Sequence, residues 1–427
     1  MTPLTQLHTA EYLPSKLPYP WKVVALKRAF RIRLGKMLQR EPVTETDVLV
    51  PYLKANHVQW GAVATGDLPE MWASQADVCR FGVSTGDLLV CEGGEAGRAA
   101  TVQNPPERCI IQNALHRVRG TREGNIRYLR HVLEAVSRSD WFGVLCNRAT
   151  IAHLTGDKLA ALRIPLPPID KQEAIADFLD RETARLDELI AKKRRLAALL
   201  ETELAISLRV LITGAVGPNL QTQPVRNDLA LWLPTHWGAA PLRWYVRLRS
   251  GDYLANTDFS LEPDEQRTIP VVGGNGVSGY TDRANVPPDT IVIGRVGALC
   301  GNVHYVRTPA WVTDNALVLS HIRDFDLQYL SEALRVLDLN QWSNQNAQPL
   351  ITGSMVKARV IPRPPLKEQS RIAQHIADAR SKHQSVMDKI DAATSILQQY
   401  RSSLITSAVT GQIDVRKYMA QGAAACQ

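Results

Sequence analysis

The sequence predicts an α+β protein: two globular units of mixed strand and helix, joined by two long helices that pair as an antiparallel coiled coil, all within an internal pseudo-two-fold repeat. Three observations carry that expectation. A chain of 427 residues exceeds one ordinary core. A set of short blocks occurs twice in the same order. Two stretches of more than forty residues contain neither proline nor glycine, and each directly follows a proline-rich segment. The expected division is a first globular unit over 1–163, a central helical spacer over 164–217, a second unit over 218–360, a distal spacer over 361–411 and a tail over 412–427.

The repeated blocks set the order. Leu17, Pro18 and Trp21 match Leu233, Pro234 and Trp237 at an offset of 216. Gln112-Asn113-Ala114 matches Asp314-Asn315-Ala316 at 202. Thr155-Gly156 and Ile164-Pro165-Leu166-Pro167-Pro168 through Gln172 match Thr352-Gly353 and Ile361-Pro362-Arg363-Pro364-Pro365 through Gln369, at 197. Leu211-Ile212-Thr213 with Ala215-Val216 matches Leu404-Ile405-Thr406 with Ala408-Val409, at 193. Each copy therefore runs globular unit, proline gate, helix.

In the first unit, apolar runs such as Asp87-Leu88-Leu89-Val90 beside glycines read as strands, and Ile126 to Ala135 as a helix. After the gate, Asp170 with Glu173 spells a capping box opening the first long helix. Its apolar stripe is Ile175, Leu179, Glu182, Leu186, Leu189, Lys193, Leu196, Leu200, Leu204, Ser207 and Leu211. The second unit repeats the strand signal at Thr290-Ile291-Val292-Ile293 and the helix signal over Leu327 to Leu337. The second long helix carries Ile372, Ile376, Ala379, His383, Val386, Ile390, Ala393, Leu397, Tyr400 and Leu404, in steps of four and three, as a coiled-coil seam requires. Because the offset falls from 197 to 193 between the gates and the helix ends, the first helix is expected to hold four extra residues, a stutter of about one turn. At 1.5 Å per residue each helix would span roughly 60 Å and act as a spacer.

Composition narrows function. Hydrophobic residues at 45% and charged residues at 22% describe an ordinary globular protein. No leader pattern opens the chain and no uncharged run could cross a bilayer, so a cytoplasmic location is expected. The six cysteines form no CxxC pair and read as incidental thiols. A net charge of +8 favours polyanionic partners. Basic residues concentrate between Trp21 and Arg40, where Lys22, Lys27, Arg28, Arg31, Arg33, Lys36 and Arg40 meet no acid. The counterpart after Trp237 keeps Arg243, Arg247 and Arg249, and such placements suit phosphate contact. Residues 17–160 hold 19 basic and 14 acidic side chains, whereas 233–360 hold 11 and 12. The second unit is therefore expected to lean on hydrogen bonds and shape.

Motifs for chemistry do not assemble. Gly274-Asn275-Gly276-Val277-Ser278-Gly279 spells a dinucleotide fingerprint, but Tyr280, Thr281 and Asp282 lead into another strand rather than the helix that would receive a pyrophosphate. Asn104-Pro105-Pro106-Glu107 lacks the aromatic that would stack on an extruded base. No acid is followed two residues later by Lys, so a common nuclease pattern is missing, as are Walker A and HExxH. No catalytic residue, metal ligand or cofactor site is therefore expected in this chain. A coiled-coil scaffold without DNA readout is the alternative.

The gate and helix through Gln172, Ala174-Ile175-Ala176 and Phe178-Leu179-Asp180, the Leu-Ile-Thr-x-Ala-Val endings, and Pro270-Val271, Gly273-Gly274-Asn275-Gly276, Ile293-Gly294-Arg295, Gly301-Asn302-Val303 and Thr313-Asp314-Asn315-Ala316 resemble the DNA-specificity subunit of type I restriction-modification systems. The resemblance implies two target-recognition domains, each reading half of a split double-stranded DNA target, on two antiparallel helices. It implies docking of two methyltransferase subunits carrying S-adenosylmethionine and of restriction motor-nuclease subunits using ATP and Mg, with no catalysis in this chain. Asn275, Arg295 and Glu92, which stands in the place of Arg295 in the first unit, are candidate DNA contacts, with a structural ion pair the alternative reading of Glu92 and Arg295. Arg binds guanine edges and Glu accepts from cytosine, so the halves are expected to read different bases.

Overall fold

A computed structural model describes residues 17–139, 142, 153–215, 221–344 and 349–417. The expected landmarks Cys146, Val216 and Cys426, and most of the 412–427 tail, lie outside them. The chain divides into two compact units, one of residues 1–193 with 392–427 and one of residues 194–391.

In the first unit the chain enters as β1 (Lys22–Ala25) and β2 (Phe30–Leu34). It continues as β3 (Val48–Leu53), β4 (Val58–Gln59), β5 (Ala62–Val63) and β6 (Glu70–Ala73), then turns through α1 (Gln75–Phe81). It returns as β7 (Leu88–Cys91), β8 (Ala99–Thr101), β9 (Ile110–Ile111) and β10 (Leu115–Gly120). Then come α2 (Ile126–Arg138), α3 (Gly156–Ala161), the gate strand β11 (Arg163–Leu166) and the long helix α4 (Ile169–Thr213). One sheet runs β2-β10-β7-β8 and another β6-β3-β9, while β11 pairs with β1 alone. Strand β7 is apolar throughout because both faces are covered. Leu88 and Val90 join the core under α2 and α4, and Leu89 and Cys91 the core under β3. Each such side chain contributes on the order of 1.5–3 kcal/mol.

The second unit repeats this plan after β12 (Thr222–Pro224) and β13 (Trp232–Pro234). It uses β14 (Gly238–Pro241), β15 (Arg247–Ser250), β16 (Ile269–Gly273), β17 (Gly276–Thr281), β18 (Thr290–Gly294), β19 (Val303–Val306), β20 (Trp311–Val312) and β21 (Ala316–Ser320). Helix α5 (Leu327–Leu337), α6 (Gly353–Lys357), the gate strand β22 (Val360–Arg363) and the second long helix α7 (Leu366–Val409) complete it. The sheets run β15-β21-β18-β19 and β17-β16-β20, with β22 on β14, so these three match those of the first unit strand for strand, while β4-β5 and β12-β13 pair in one unit each. The expected α+β repeat is what the chain forms.

The gates repeat at atomic level. Gln172 is fully buried; its amide nitrogen donates to the Glu123 and Pro167 carbonyls, both at 2.8 Å, and its oxygen accepts from Asn125 N at 2.8 Å. Gln369 does the same with Asp324 at 3.1 Å, Pro364 at 2.8 Å and Asp326 N at 2.8 Å. Asn125 and Asp326 cap α2 and α5. Within those helices the Tyr128 hydroxyl donates into the Pro165 and Val409 carbonyls, and the Tyr329 hydroxyl into those of Pro362 and Ile212. Burial pushes the Tyr329 phenol far above its ordinary range, so it keeps its proton.

Those contacts fix the helix register and overturn the expected stutter. Helices α4 and α7 hold 45 and 44 residues. Ile212 and Val409 receive equivalent tyrosines. Gly214 and Gly411, both at positive φ, end the helices against Pro234 with Trp237 and Pro18 with Trp21. The offset is therefore 197 from gate to end. The Leu-Ile-Thr match at 193 is a coincidence one helical turn out of register, which an apolar helix face readily offers. The Gln112 block also shifts by one. Gln112 N donates to Leu53 O and Thr313 N to Val272 O, which pairs Gln112 with Thr313.

The helices run antiparallel, as Asp170 with Arg416 and Asp187 with Arg401 show in the first unit. Helix α4 begins at Ile169, so Asp170 lies in the first turn rather than at the cap. Ile175, Leu179, Leu186, Ile372, Ile376, Ile390 and Leu404 are buried, and Leu200, Leu204, Leu211 and Leu397 half-buried, as the stripes require. Leu189, Leu196, Val386 and Tyr400 instead face outward, 42–47% exposed. Their neighbours Ile190, Ala197, Met387 and Arg401 turn inward. At 3.6 residues per turn, three-four stepping drifts off the buried face, so one step misplaced by a residue exposes a leucine.

Candidate nucleic-acid interface

Along β2, Ile32 packs on the core under α2, so the alternating Arg31 and Arg33 point to the other face of the sheet. Directly across on β10 stand Arg119, opposite Arg31, and Arg117, opposite Arg33. Like charges in facing positions oppose folding. The structure tolerates them by occupying two. Arg119 forks onto Asp87 at 2.5 and 2.7 Å, which raises its affinity for its proton. Arg117 donates to the carbonyls of Gly82 and Arg80. Burial, and then the charges of Arg119 and Arg33, draw Arg117 below its ordinary range. Arg31 and Arg33 stay exposed, beside Lys27 and Arg28 on the preceding turn.

Sequence reasoning missed Arg117 and Arg119. The signal was present, since Arg117-Val118-Arg119 repeats the spacing of Arg31-Ile32-Arg33. Lys36 departs from the rest of the basic run: it is only 15% exposed and binds Asp77 at 2.9 Å, so its charge is spent inside the fold.

The second unit places Arg247 and Arg249 on β15 where the first has Arg31 and Arg33. Gly35 N and Lys36 N donate to the Leu115 and Ile111 carbonyls, as Gly251 N and Asp252 N do to those of Ala316 and Val312. Ser320 and Val318 stand opposite these arginines. Arg249 reaches Asp252 at 3.4 Å and the Asn285 carbonyl at 3.0 Å. Arg243 lies over the exposed Trp244 ring at 5.7 Å. This strip is sparser and partly neutralised.

At the same end of each sheet, the residue after the innermost strand is held by two backbone bonds. Arg295 N donates to Asn315 O at 2.9 Å and Arg295 O accepts from Ile351 N at 2.9 Å. Glu92 N donates to Ala114 O at 3.0 Å and Glu92 O accepts from Leu154 N at 2.7 Å. The two residues are thus structural equivalents. The Arg295 side chain makes no hydrogen bond or ion pair with another described residue. The Glu92 carboxylate lies 4.0 Å from His116 Nε2. That ring donates to Leu154 O at 2.8 Å, and burial holds it below its ordinary pKa, so no charge opposes Glu92 there.

Gly273 pairs with Gly276 across a two-residue turn of Gly274 and exposed Asn275, and the strand β17 follows instead of a helix. The turn lies against Gly294, where a Cβ would stand 2.6 Å from Gly274 O. In the first unit Asn56, three residues past Leu53 as Asn275 is past Val272, occupies this place on a short 3-10 turn. The Asn104 loop carries no regular structure, and of the described cysteines Cys91, Cys109 and Cys300 are buried and Cys79 exposed. Among the described residues no cluster of His, Cys, Asp or Glu could hold a metal, and no helix is long and apolar enough to cross a membrane.

The family model for the type I restriction modification DNA specificity domain matches residues 18–198 and 254–388. The chain belongs to the type I restriction-modification DNA specificity family. Among relatives of this specificity chain, the EcoprrI specificity subunit of Escherichia coli is 26% identical over 36% of either chain. The EcoKI specificity subunit of Escherichia coli K12 is 20% identical over 93% of this chain and 90% of its own. Two solved structures share the fold at 17% identity and 94% coverage of this chain. One is a chain of a type I R-M system, at a TM-score of 0.69 and 100% of its length. The other is the HsdS subunit of Thermoanaerobacter tengcongensis, at 0.53 and 99%. The specificity chain's role is DNA sequence recognition, and it carries one recognition unit per half.

Proposed function

We propose that the two units read the two halves of a split double-stranded DNA target. On this proposal the chain catalyses nothing itself and works in the cytoplasm. Two methyltransferase subunits supply S-adenosylmethionine chemistry, and restriction subunits supply ATP- and Mg-dependent motor and nuclease activity. The observation that carries the reading is the basic strand, placed equivalently in both units and built in the first against the preference of the sheet for unlike neighbours. Phosphates would relieve that repulsion, as counterion release would drive binding. The test is anisotropy of the chain reconstituted with a methyltransferase subunit, on duplexes with one split target and on scrambled duplexes. Tight binding that needs both half-sites supports the proposal. Assembly with the partner but no DNA preference would identify a scaffold instead.

A further inference from the structure

We infer that Arg80 in the first unit and Arg283 in the second are contacts to the DNA backbone, which carry the phosphate-binding surface of each unit beyond the basic strand and onto the segment that crosses it. The inference rests on the DNA-reading function above and extends the surface through which it works.

Neither residue belongs to the basic run between Trp21 and Arg40, and their equivalence shows only in the hydrogen bonds. Val83 N donates to Cys109 O at 2.9 Å and Val286 N to Ala310 O at 3.1 Å, just ahead of β9 and β20. Gly82 therefore corresponds to Asn285, and Arg80 to Arg283. The strand arginines themselves place this segment. Arg117 stands directly opposite Arg33 and so shares its face of the sheet. Its guanidinium donates to Arg80 O at 3.2 Å and to Gly82 O. In the second unit Arg249 donates to Asn285 O at 3.0 Å. Side chains from the arginine-bearing face thus hold the segment in both units. Both Arg80 and Arg283 are exposed, and each guanidinium lies over an aromatic ring: Arg80 Cζ is 5.4 Å from the Phe81 centroid and Arg283 Cζ 5.2 Å from that of Trp311. Trp311 is anchored in turn, its indole donating to Asp252 O at 3.2 Å. A ring beneath a guanidinium limits its motion and leaves the in-plane N–H donors open, which suits the oxygens of a phosphate. Among the described residues that ring is the one partner of the Arg80 side chain. Arg283 also meets Asp258 at 2.5 Å, in a pair whose side chains are 53% and 32% exposed. So exposed a pair is weak enough to yield to a phosphate, yet the carboxylate repels the same phosphate. The contact in the second unit is therefore the weaker of the two, in keeping with its sparser arginine strip.

The test uses the chain assembled with its methyltransferase subunit, titrated over a range of salt concentrations onto duplexes with the split target and onto scrambled duplexes. Arg80→Ala should weaken binding by the same factor on both and reduce the salt slope by about 0.9, the share of one phosphate. Arg80→Lys keeps the charge and should restore the slope. Asp258→Asn should tighten binding about two- to fivefold on every sequence at low salt, and that gain should vanish when Arg283→Ala is added. Thermal melting checks that each variant is folded. An unaltered slope in folded Arg80→Ala overturns the inference, as does a loss confined to one base pair of one half-site, which would make Arg80 a base reader. If Asp258→Asn binds as the parent does, or still gains without Arg283, the assignment of Arg283 fails. A parent complex that prefers no split target would instead defeat the underlying function.

Discussion

Asp180 receives Arg130 at 2.5 Å, His131 at 2.8 Å and Arg127 at 3.0 Å. Burial alone would raise its pKa, but the hydrogen bond from His131 and the charges around it hold the carboxyl at about 2, against 3.8 when free. A depressed carboxyl contributes stability that is complete above pH 4 and lost as pH falls toward 2. His131, kept neutral by burial, acts in the same direction at milder acidity, because the unfolded ring protonates first. Asp180→Asn should therefore cost about 1–2 kcal/mol at neutral pH and flatten the acid limb between pH 4 and 2, read by urea unfolding across pH. Among the basic residues, replacing Lys27, Arg28, Arg31 and Arg33 with Ala should reduce the salt slope of DNA binding by about 0.9 for each phosphate no longer neutralised. Lys36→Ala should leave that slope alone and lower thermal stability. The sequence displayed all five as one run. Only the position of Asp77, brought near by the fold, tells Lys36 from the others.

The gates and helix caps show which local features survive from sequence to structure. Gln172 and Gln369 stood out as the last residues of a repeated block, and each proves to tie three backbone groups. Gln172→Ala or Gln369→Ala should cost about 2–4 kcal/mol, measured by denaturant unfolding, since buried carbonyls and an amide lose their partners. The seams were legible as long apolar stripes but not residue by residue, because 3.5 and 3.6 periods diverge over twelve turns and neighbouring leucines serve equally well in a pattern search. Contacts between α2 or α5 and the long helices were not legible at all. Three residues past Tyr128 stands His131, in a basic group facing Asp177 and Asp180 of α4. Three past Tyr329 stands Glu332, facing Arg380 of α7 at 2.7 Å. At the stretch of long helix that follows each gate the polarity is therefore reversed between units, while Glu134 of α2 meets Arg401 of α7. Glu332→Lys should destabilise the second unit by about 1–3 kcal/mol, and Glu332→Lys with Arg380→Glu should recover most of it in a double-mutant cycle.

At the scale of the whole chain, the duplicated order of blocks was enough to give the architecture, because a repeated gate must serve a repeated junction. What it concealed was the exact alignment, since the offset takes at least four values: 216 at β2 and β15, 201 at β10 and β21, 203 at Glu92 and Arg295, and 197 in the helices. Loop lengths differ between the strands of the two units, whereas the spacing from gate to helix end is the same in both. The first unit is also discontinuous, for its core includes Leu404, Ile405, Ala408, Val409 and Val415 alongside residues from Leu26 onward. That imposes an order during synthesis. At about 5–20 residues per second, the ribosome needs roughly ten to fifty seconds after β11 emerges to deliver the segment that covers Tyr128. The second unit is an unbroken stretch, and all of it leaves the ribosome before residues 392–427, which complete the first. Ribosome-bound chains ending at Asp391 and extended by a flexible spacer long enough to clear the exit tunnel should therefore protect residues 221–344 from protease while residues 17–139 are cut, and the protein's first-made half should be the last to become native.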